Sequence, residues 1–282
     1  MKIFFCSEMV AHSNCFSPSA TKPQHFVEGI KKIDIPVELI RPVPVSVEQL
    51  ELAHESSYVR GVLDCSIANG FGNRSQEVAD SLPWTSGAML SAAESALSNG
   101  ITCAPVSGFH HAGYRHGGGF CTFNGLMVTA QVLRMNHVGI RVAIVDADQH
   151  YGDGTDDILS HLGIKDIFHF TFGRHFRTRH DSAEYLKTAR AIPEMVKKFG
   201  ADIVLYQAGA DVHVDDPLGG VLTSEQIAER DESIVAGCWR EGIPVAWNLA
   251  GGYQRDADNG ISKVINIHLE TAKVAHAALA RR

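Results

Sequence analysis

Three ionisable side chains alternate without a break where an apolar run ends, in Val142-Ala143-Ile144-Val145-Asp146-Ala147-Asp148-Gln149-His150-Tyr151-Gly152-Asp153-Gly154. On an extended chain successive side chains point to opposite sides, so Asp146, Asp148 and His150 are aimed together. Two carboxylates and an imidazole converging at a buried strand end repel one another or desolvate badly unless a cation or partner groups compensate. A solvated loop with incidental acids fits poorly, because the alternation is unbroken and glycine turns follow. The Asp-x-Asp loop of magnesium phosphotransferases is a rival. That loop would follow the first strand, precede Gly-Thr, and have no need of the histidine. A second run, Ile203-Val204-Leu205-Tyr206-Gln207-Ala208-Gly209-Ala210-Asp211, also ends on an aspartate. In isolation Asp211 reads as a cap or turn residue; at a strand end of the same sheet it joins Asp148 and His150 as a third ligand. One His and two Asp with room for water suit a catalytic zinc ion with an open position. Nitrogen and oxygen donors leave Mn²⁺, Fe²⁺ and Co²⁺ open as well.

A third run ends in Val106-Ser107-Gly108-Phe109-His110-His111-Ala112-Gly113, with Gly117-Gly118-Gly119-Phe120-Cys121 close behind. With 15 histidines in the chain, an adjacent pair can arise by chance. Glycines on both sides let backbone approach a ligand closely and favour a functional pair. An imidazole near its ordinary pKa can take a proton from water and return it to a leaving amine. Asp146 and Asp153 are available as orienting carboxylates. A fourth run ends in Trp247-Asn248-Leu249-Ala250-Gly251-Gly252-Tyr253-Gln254. A tyrosine is more often a half-buried aromatic than a catalyst. Two preceding glycines, however, would let the Tyr253 phenol reach a substrate carbonyl and stabilise an oxyanion.

Such strand ends require a sheet. Apolar runs at Lys2–Cys6, Val37–Ile40, Ile101–Val106, Arg141–Val145, Asp166–Phe172, Ile203–Gln207 and Pro244–Leu249 are short and nearly continuous in apolar character. Strands buried on both faces read this way. Helical patterns at Trp84–Ser98, Phe123–Met135, Ser182–Phe199, Ser224–Glu241 and Ile261–Ala280 lie between and after them. The alternation predicts βαβ crossovers, a mostly parallel sheet and helices on both faces. In such sheets ligands bind beyond the carboxyl ends of the strands.

The 282 residues, 45% hydrophobic and 20% charged, suffice for a large core and exclude a disordered or fibrous chain. A net charge of −7 argues against a broad nucleic-acid footprint and would draw in a cationic substrate. Met1–Glu8 turns polar too early for a signal peptide, and no stretch is long enough to span a bilayer. Six cysteines without a Cys-x-x-Cys pairing fit reduced thiols, so a cytoplasmic location is expected.

Taken in order, Gly-Phe-His-His-Ala at 108–112, Gly-Gly-Gly-Phe-Cys-x-x-Asn at 117–124, Asp-x-Asp-x-His-x-Gly-Asp-Gly at 146–154, Gly-Ala-Asp at 209–211 and Gly-Gly-Tyr at 251–253 form a specific signature. With these motifs the chain resembles the zinc-dependent histone deacetylase superfamily, which includes bacterial deacetylase-like amidohydrolases. The resemblance spans about Pro105 to Gln254, with a fainter trace at His54–Val59. Gly-Phe-His-His, Asp216-Pro217-Leu218-Gly219-Gly220 and Gly-Gly-Tyr-Gln look most like the class IV branch. The resemblance implies one arginase/deacetylase-type α/β domain over residues 1–282, with a mostly parallel eight-stranded sheet. It implies that Asp148, His150 and Asp211 bind one Zn²⁺ and that His111 is the general base and acid. His110 would be its electrostatic partner, with Asp146 orienting His110 and Asp153 orienting His111. Tyr253 would supply the oxyanion hydroxyl, and Gly119 and Phe120 would line the acyl-lysine channel. A structural K⁺ would use Asp146, Asp148 and His150 with the hydroxyl of Thr171. Tyr151 stands where many relatives carry His or Gln, and Asp153 where class IV members typically have Asn.

The expected reaction is hydrolysis of N6-acyl-lysine on a peptide or protein, with no nucleic-acid or membrane partner and no oligomeric state indicated. Class IV relatives are associated with longer acyl chains, which predicts a preference for chains longer than acetyl. Acetylpolyamine or other small-molecule amide hydrolysis is the alternative within enzymes, and a catalytically silent acyl-lysine binder the alternative outside them.

Overall fold

Val, Ile, Leu and Trp dominate the central strands, and alternate residues of each face opposite cores. The structure, a computed structural model, describes residues 1–281. Its strands are β1 (Lys2–Phe4), β2 (Glu38–Ile40), β3 (Ile101–Ala104), β4 (Val142–Asp146), β5 (Phe168–Thr171), β6 (Ile203–Gln207) and β7 (Val245–Asn248). All pair in parallel, in the order β2-β1-β3-β7-β6-β4-β5. Ala143, Val145, Val204, Tyr206, Val245 and Trp247 point into one core, while Val142, Ile144, Ile203, Leu205 and Ala246 point into the other. Burial on both faces explains why these strands read as continuous apolar runs rather than alternating ones.

The first core is covered by α1 (Lys22–Ile30), α7 (Ser182–Phe199), α8 (Ser224–Asp231), α9 (Gly237–Arg240) and α10 (Ser262–Ala280). A π turn at Glu232–Ala236 joins α8 to α9. The second core is covered by α2 (Val47–Glu51), α3 (Ser56–Leu63), α4 (Gln76–Asn99), α5 (Gly125–Asn136) and α6 (Asp153–His161). Local caps start several of them. Asn124 accepts from the Met127 N–H at 3.1 Å, and Thr223 forms a reciprocal capping box with Gln226.

The α/β class and the parallel sheet are as expected. Seven strands are present among the described residues, at the seven apolar runs; the eighth came with the resemblance. Beyond β5 the residues 172–181 are taken up by two 3₁₀ turns that lead into α7, so the sheet ends on β5. The helix predicted from Trp84 starts at Gln76 instead, capped by Ser75, with Pro83 inside it. Four helices were not predicted. The short α2 and α3 carry too few turns to show a period, α1 runs through Pro23, and α6 begins within the Gly-Asp-Gly motif. No helix among the described residues is long and apolar enough to cross a membrane.

Candidate active site

The strand ends that carry the motifs are neighbours, because β3, β7, β6, β4 and β5 lie consecutively in the sheet. Asp148 follows β4 and Asp211 follows β6, the strand paired with it. His150 Nδ1 lies 3.3 Å from Asp148 Oδ1 and 3.0 Å from Asp211 Oδ2. One donor atom from each of the three residues falls within 4.8 Å of the others, close enough to share one ion. Both carboxylates are buried and His150 is partly exposed, which leaves the cluster open on one side.

Backbone donors orient the oxygens. Gly251 N–H donates to Asp148 Oδ2 at 2.8 Å, and Gln149 N–H donates to Asp211 Oδ1 at 3.1 Å. A Cβ on Gly251 would collide with the Asp211 carboxylate, and one on Gly209 with the Asp148 backbone. Only glycine allows these approaches. Burial and the facing Asp148 charge push the Asp211 carboxyl up. Hydrogen bonds to Asp148 and Asp211 push His150 up to about 11 against its burial. Two buried carboxylates thus draw a proton onto the imidazole between them. That excess of negative charge, on an all-N/O donor set, is what a divalent cation fits.

The two adjacent histidines have different surroundings. His110 is buried, its Nδ1 2.8 Å from Asp146 Oδ2 and its Nε2 3.7 Å from Asp148 Oδ1. Burial opposes its charge, but Asp146 and Asp148 outweigh burial and raise it to about 9. His111 is partly exposed, and its Nδ1 lies 2.6 Å from Asp153 Oδ1, at the start of α6. The two rings sit 4.0 Å apart, and His111 faces His150 at 5.9 Å. Phe109, at φ 90°, makes the sharp bend that precedes them.

Tyr253 is carried by the loop whose Gly251 N–H donates to Asp148. Burial, then the charges of Asp211 and Asp148, hold its phenol well above the ordinary value, so it stays protonated and able to donate. Its backbone N–H donates to Asp216 Oδ2 at 2.7 Å. Phe16 stacks on its ring at 6.2 Å, Phe120 approaches at 5.6 Å, and Phe71 lies beyond Phe120. A Cβ on Gly119 would meet the His111 ring, which places Gly119 and Phe120 on the wall facing the base. Thr171 ends β5 in register with Asp146, its hydroxyl accepting from Gly152 N–H at 3.0 Å.

Every residue expected at the site is therefore brought to one end of the sheet. Among other contributors Lys22 and Phe16 carried no local signal, and His54 only the faint trace at 54–59. Lys22 is fully buried and donates to the Ala250 carbonyl at 2.5 Å, bracing the loop that carries Tyr253. His54, whose ring nitrogens lie 2.8 Å from Gly113 O and from Asn124 N, ties the His110–Gly113 turn to α5. Phe16 is an exposed aromatic in a loop without a motif. Asp216 stood in a quoted motif, but its role as acceptor for Tyr253 depends on two loops meeting.

A family model described as the histone deacetylase domain matches residues 19–172 and 159–270. An uncharacterized protein of Picosynechococcus is 29% identical over 73% of this chain and 76% of its own length. Histone deacetylase 2 of Arabidopsis thaliana is 28% identical over 64% of this chain, and the acetoin utilization protein AcuC of Staphylococcus aureus 27% identical over 65%. The matched segments span 51% and 57% of those two relatives. The solved HDA15 HD domain superposes with a TM-score of 0.76 at 19% identity, covering 100% of this chain and 91% of that one, so it shares the fold.

Proposed function

The chain belongs to the histone deacetylase family, and from that premise we propose that it is a zinc-dependent hydrolase removing acyl groups from N6-acyl-lysine, with residues 1–282 acting as one catalytic domain. The observation that carries this reading is the convergence of the His111–Asp153 pair and Tyr253 on the Asp148–His150–Asp211 cluster. A zinc ion held by those three residues would supply the Lewis acidity that polarises an acyl carbonyl and acidifies water.

The chain's own groups account for the proton movements. His111, oriented through Nδ1 by Asp153, presents Nε2 to take the proton of the attacking water and hands it to the departing amine. His110, held through Nδ1 by Asp146, would act as the electrostatic partner of His111 rather than as the base. The Tyr253 hydroxyl donates to the oxyanion. Phe16, Phe120 and Phe71 would flank the aliphatic stem of the lysine. A structural K⁺ near Asp146, Asp148, His150 and Thr171 is part of the same proposal, since the Thr171 oxygen keeps a lone pair beyond its bond from Gly152.

Beside Phe109, Phe120 and Cys121 lies a cavity of about 40 Å³, lined also by Met9, Pro23, Val78 and Leu82. That is room for roughly three waters, so it takes a few carbons. Each buried CH₂ contributes about 0.8 kcal/mol. The test is kcat/KM on lysine peptides carrying acetyl, butyryl, octanoyl and myristoyl groups, beside acetylspermidine. Butyryl is expected above acetyl, and peptides above the polyamine. Highest efficiency on the polyamine would move the substrate to small-molecule amides. Peptide binding with no turnover by the zinc-loaded protein would leave a silent acyl-lysine binder.

A further inference from the structure

Behind the metal cluster lies a second buried charge group that the proposed chemistry does not use. Arg230, fully buried in the last turn of α8, carries its guanidinium beneath the ends of β4 and β6. Its Nη1 donates to the carbonyl of Ala147 at 3.1 Å and to that of Gly209 at 2.7 Å. Ala147 sits between Asp146 and Asp148, and Gly209 two residues before Asp211. The last backbone hydrogen bond between these strand ends, among the described residues, runs from Ala147 N–H to Gln207 O at 3.0 Å. Arg230 therefore bridges the two chains where the sheet ladder stops and the ligand residues begin. Tyr185 adds a hydroxyl to the Ala147 carbonyl at 3.2 Å.

The guanidinium is itself fixed. Its Nε donates to Asp231 Oδ1 at 2.8 Å, and Asp231 also accepts from the hydroxyls of Tyr206 at 2.5 Å and Thr271 at 2.6 Å. Arg230 Nη2 has no hydrogen-bond acceptor among the described residues. A buried ion pair is a weak source of stability against a well-packed apolar replacement, which directs attention to the geometry it imposes. The π turn begins directly after Asp231, a departure from α geometry that recurs at functional sites.

We propose that Arg230 is a positioning residue for the metal site, holding the β4 and β6 ends at the separation that lets Asp148 and Asp211 share one ion. The inference rests on the metal reading of Asp148, His150 and Asp211. Its footprint is on metal affinity rather than on substrate, since Arg230 touches neither the channel nor a reacting atom.

The experiment titrates Zn²⁺ into metal-stripped protein against a chromophoric competing chelator, with thermal unfolding of the metal-free forms alongside. The double variant Arg230→Met/Asp231→Leu removes both charges together and leaves no unpaired ion. It is expected to fold and to bind Zn²⁺ roughly 10- to 100-fold more weakly, as for other lost outer contacts of metal ligands. At saturating Zn²⁺, kcat should fall while KM for an acyl-lysine peptide stays within about twofold of wild type. Arg230→Lys keeps a charge beside Asp231 but loses the planar fork, and is expected to weaken Zn²⁺ in the same direction. It decides the matter if the double variant does not fold. Wild-type Zn²⁺ affinity in either folded variant, even with a lowered melting temperature, would reduce Arg230 to a structural residue and overturn the inference alone. A wild-type protein that binds no Zn²⁺ would overturn the metal reading along with it.

Discussion

Two buried charge groups sit back to back across the ends of β4 and β6, and they are balanced differently. Behind, the guanidinium of Arg230 meets one carboxylate, Asp231, whose remaining lone pairs take the hydroxyls of Tyr206 and Thr271. In front, Asp148 and Asp211 face each other across a single imidazole that is drawn into holding a proton. The rear group is neutral as a pair and draws its partners from three elements of the fold. The front group carries surplus negative charge and is open on one side. A protein tolerates such an imbalance where something outside the chain completes it, and the balanced group behind keeps its geometry while that partner is exchanged. Front residues should therefore govern activity with little loss of stability, whereas breaking the rear pair should cost stability as well as metal affinity.

Removing the completing partner gives the largest expected effect. Chelation should abolish turnover, and Zn²⁺ should restore it, as followed by amine release with elemental analysis of the stripped protein. Full turnover without metal would end the zinc mechanism. His111→Ala should lower kcat by roughly 10²–10⁴-fold with the metal still bound, and His110→Ala by less. Greater damage from His110→Ala would exchange their roles. Asp231→Asn, at the rear, leaves the Arg230 charge buried without its counter-ion. It should cost about 3–5 kcal/mol in denaturant unfolding, as for other broken buried pairs.

Tyr253→Phe should reduce kcat by on the order of 10²–10³-fold without matching loss of thermal stability. Parallel losses would make the tyrosine a packing residue. The smallest and most discriminating change is Asp211→Asn in the metal-free protein. Because burial and then Asp148 oppose the Asp211 charge and outweigh the pull of His150, neutralising it should leave the metal-free form at least as stable while weakening metal binding. A melting temperature lowered as far as by Asp231→Asn would erase the contrast between front and rear.

Much of the front was legible along the chain because its residues belong to short segments. The alternation of Asp146, Asp148 and His150 reads as the period of a strand, although β4 ends at Asp146 and 148–150 bend so that the His150 N–H donates to Asp148 Oδ1. The Gly-Gly before Tyr253 suggests a backbone free enough to present the phenol, while the passage of Gly251 against the Asp211 carboxylate comes only with the fold. The rear was not legible, since Arg230-Asp231 looks like any charged pair in a polar helix until α8 is laid over β6 and α10. Lys22 is equally mute, as an ordinary lysine before a proline whose burial follows from the docking of α1 beneath the Ala250 loop.

The sequence by itself determined the class of the sheet, the seven runs that build it and the residue types at the strand ends. These depend on local periodicity and on side-chain chemistry, which do not change with what lies across the fold. The residues alone left open which carboxylate orients which histidine. The family resemblance assigned Asp146 to His110 and Asp153 to His111, and only the fold brings those partners, 36 and 42 residues apart, into contact. The tertiary structure alone also decided that β3 would lie beside β7 and β4 beside β6. Burial then raised the cost of charge at Asp211, because a carboxylate's charge is costly only once the chain has folded around it and its neighbour has been brought to face it.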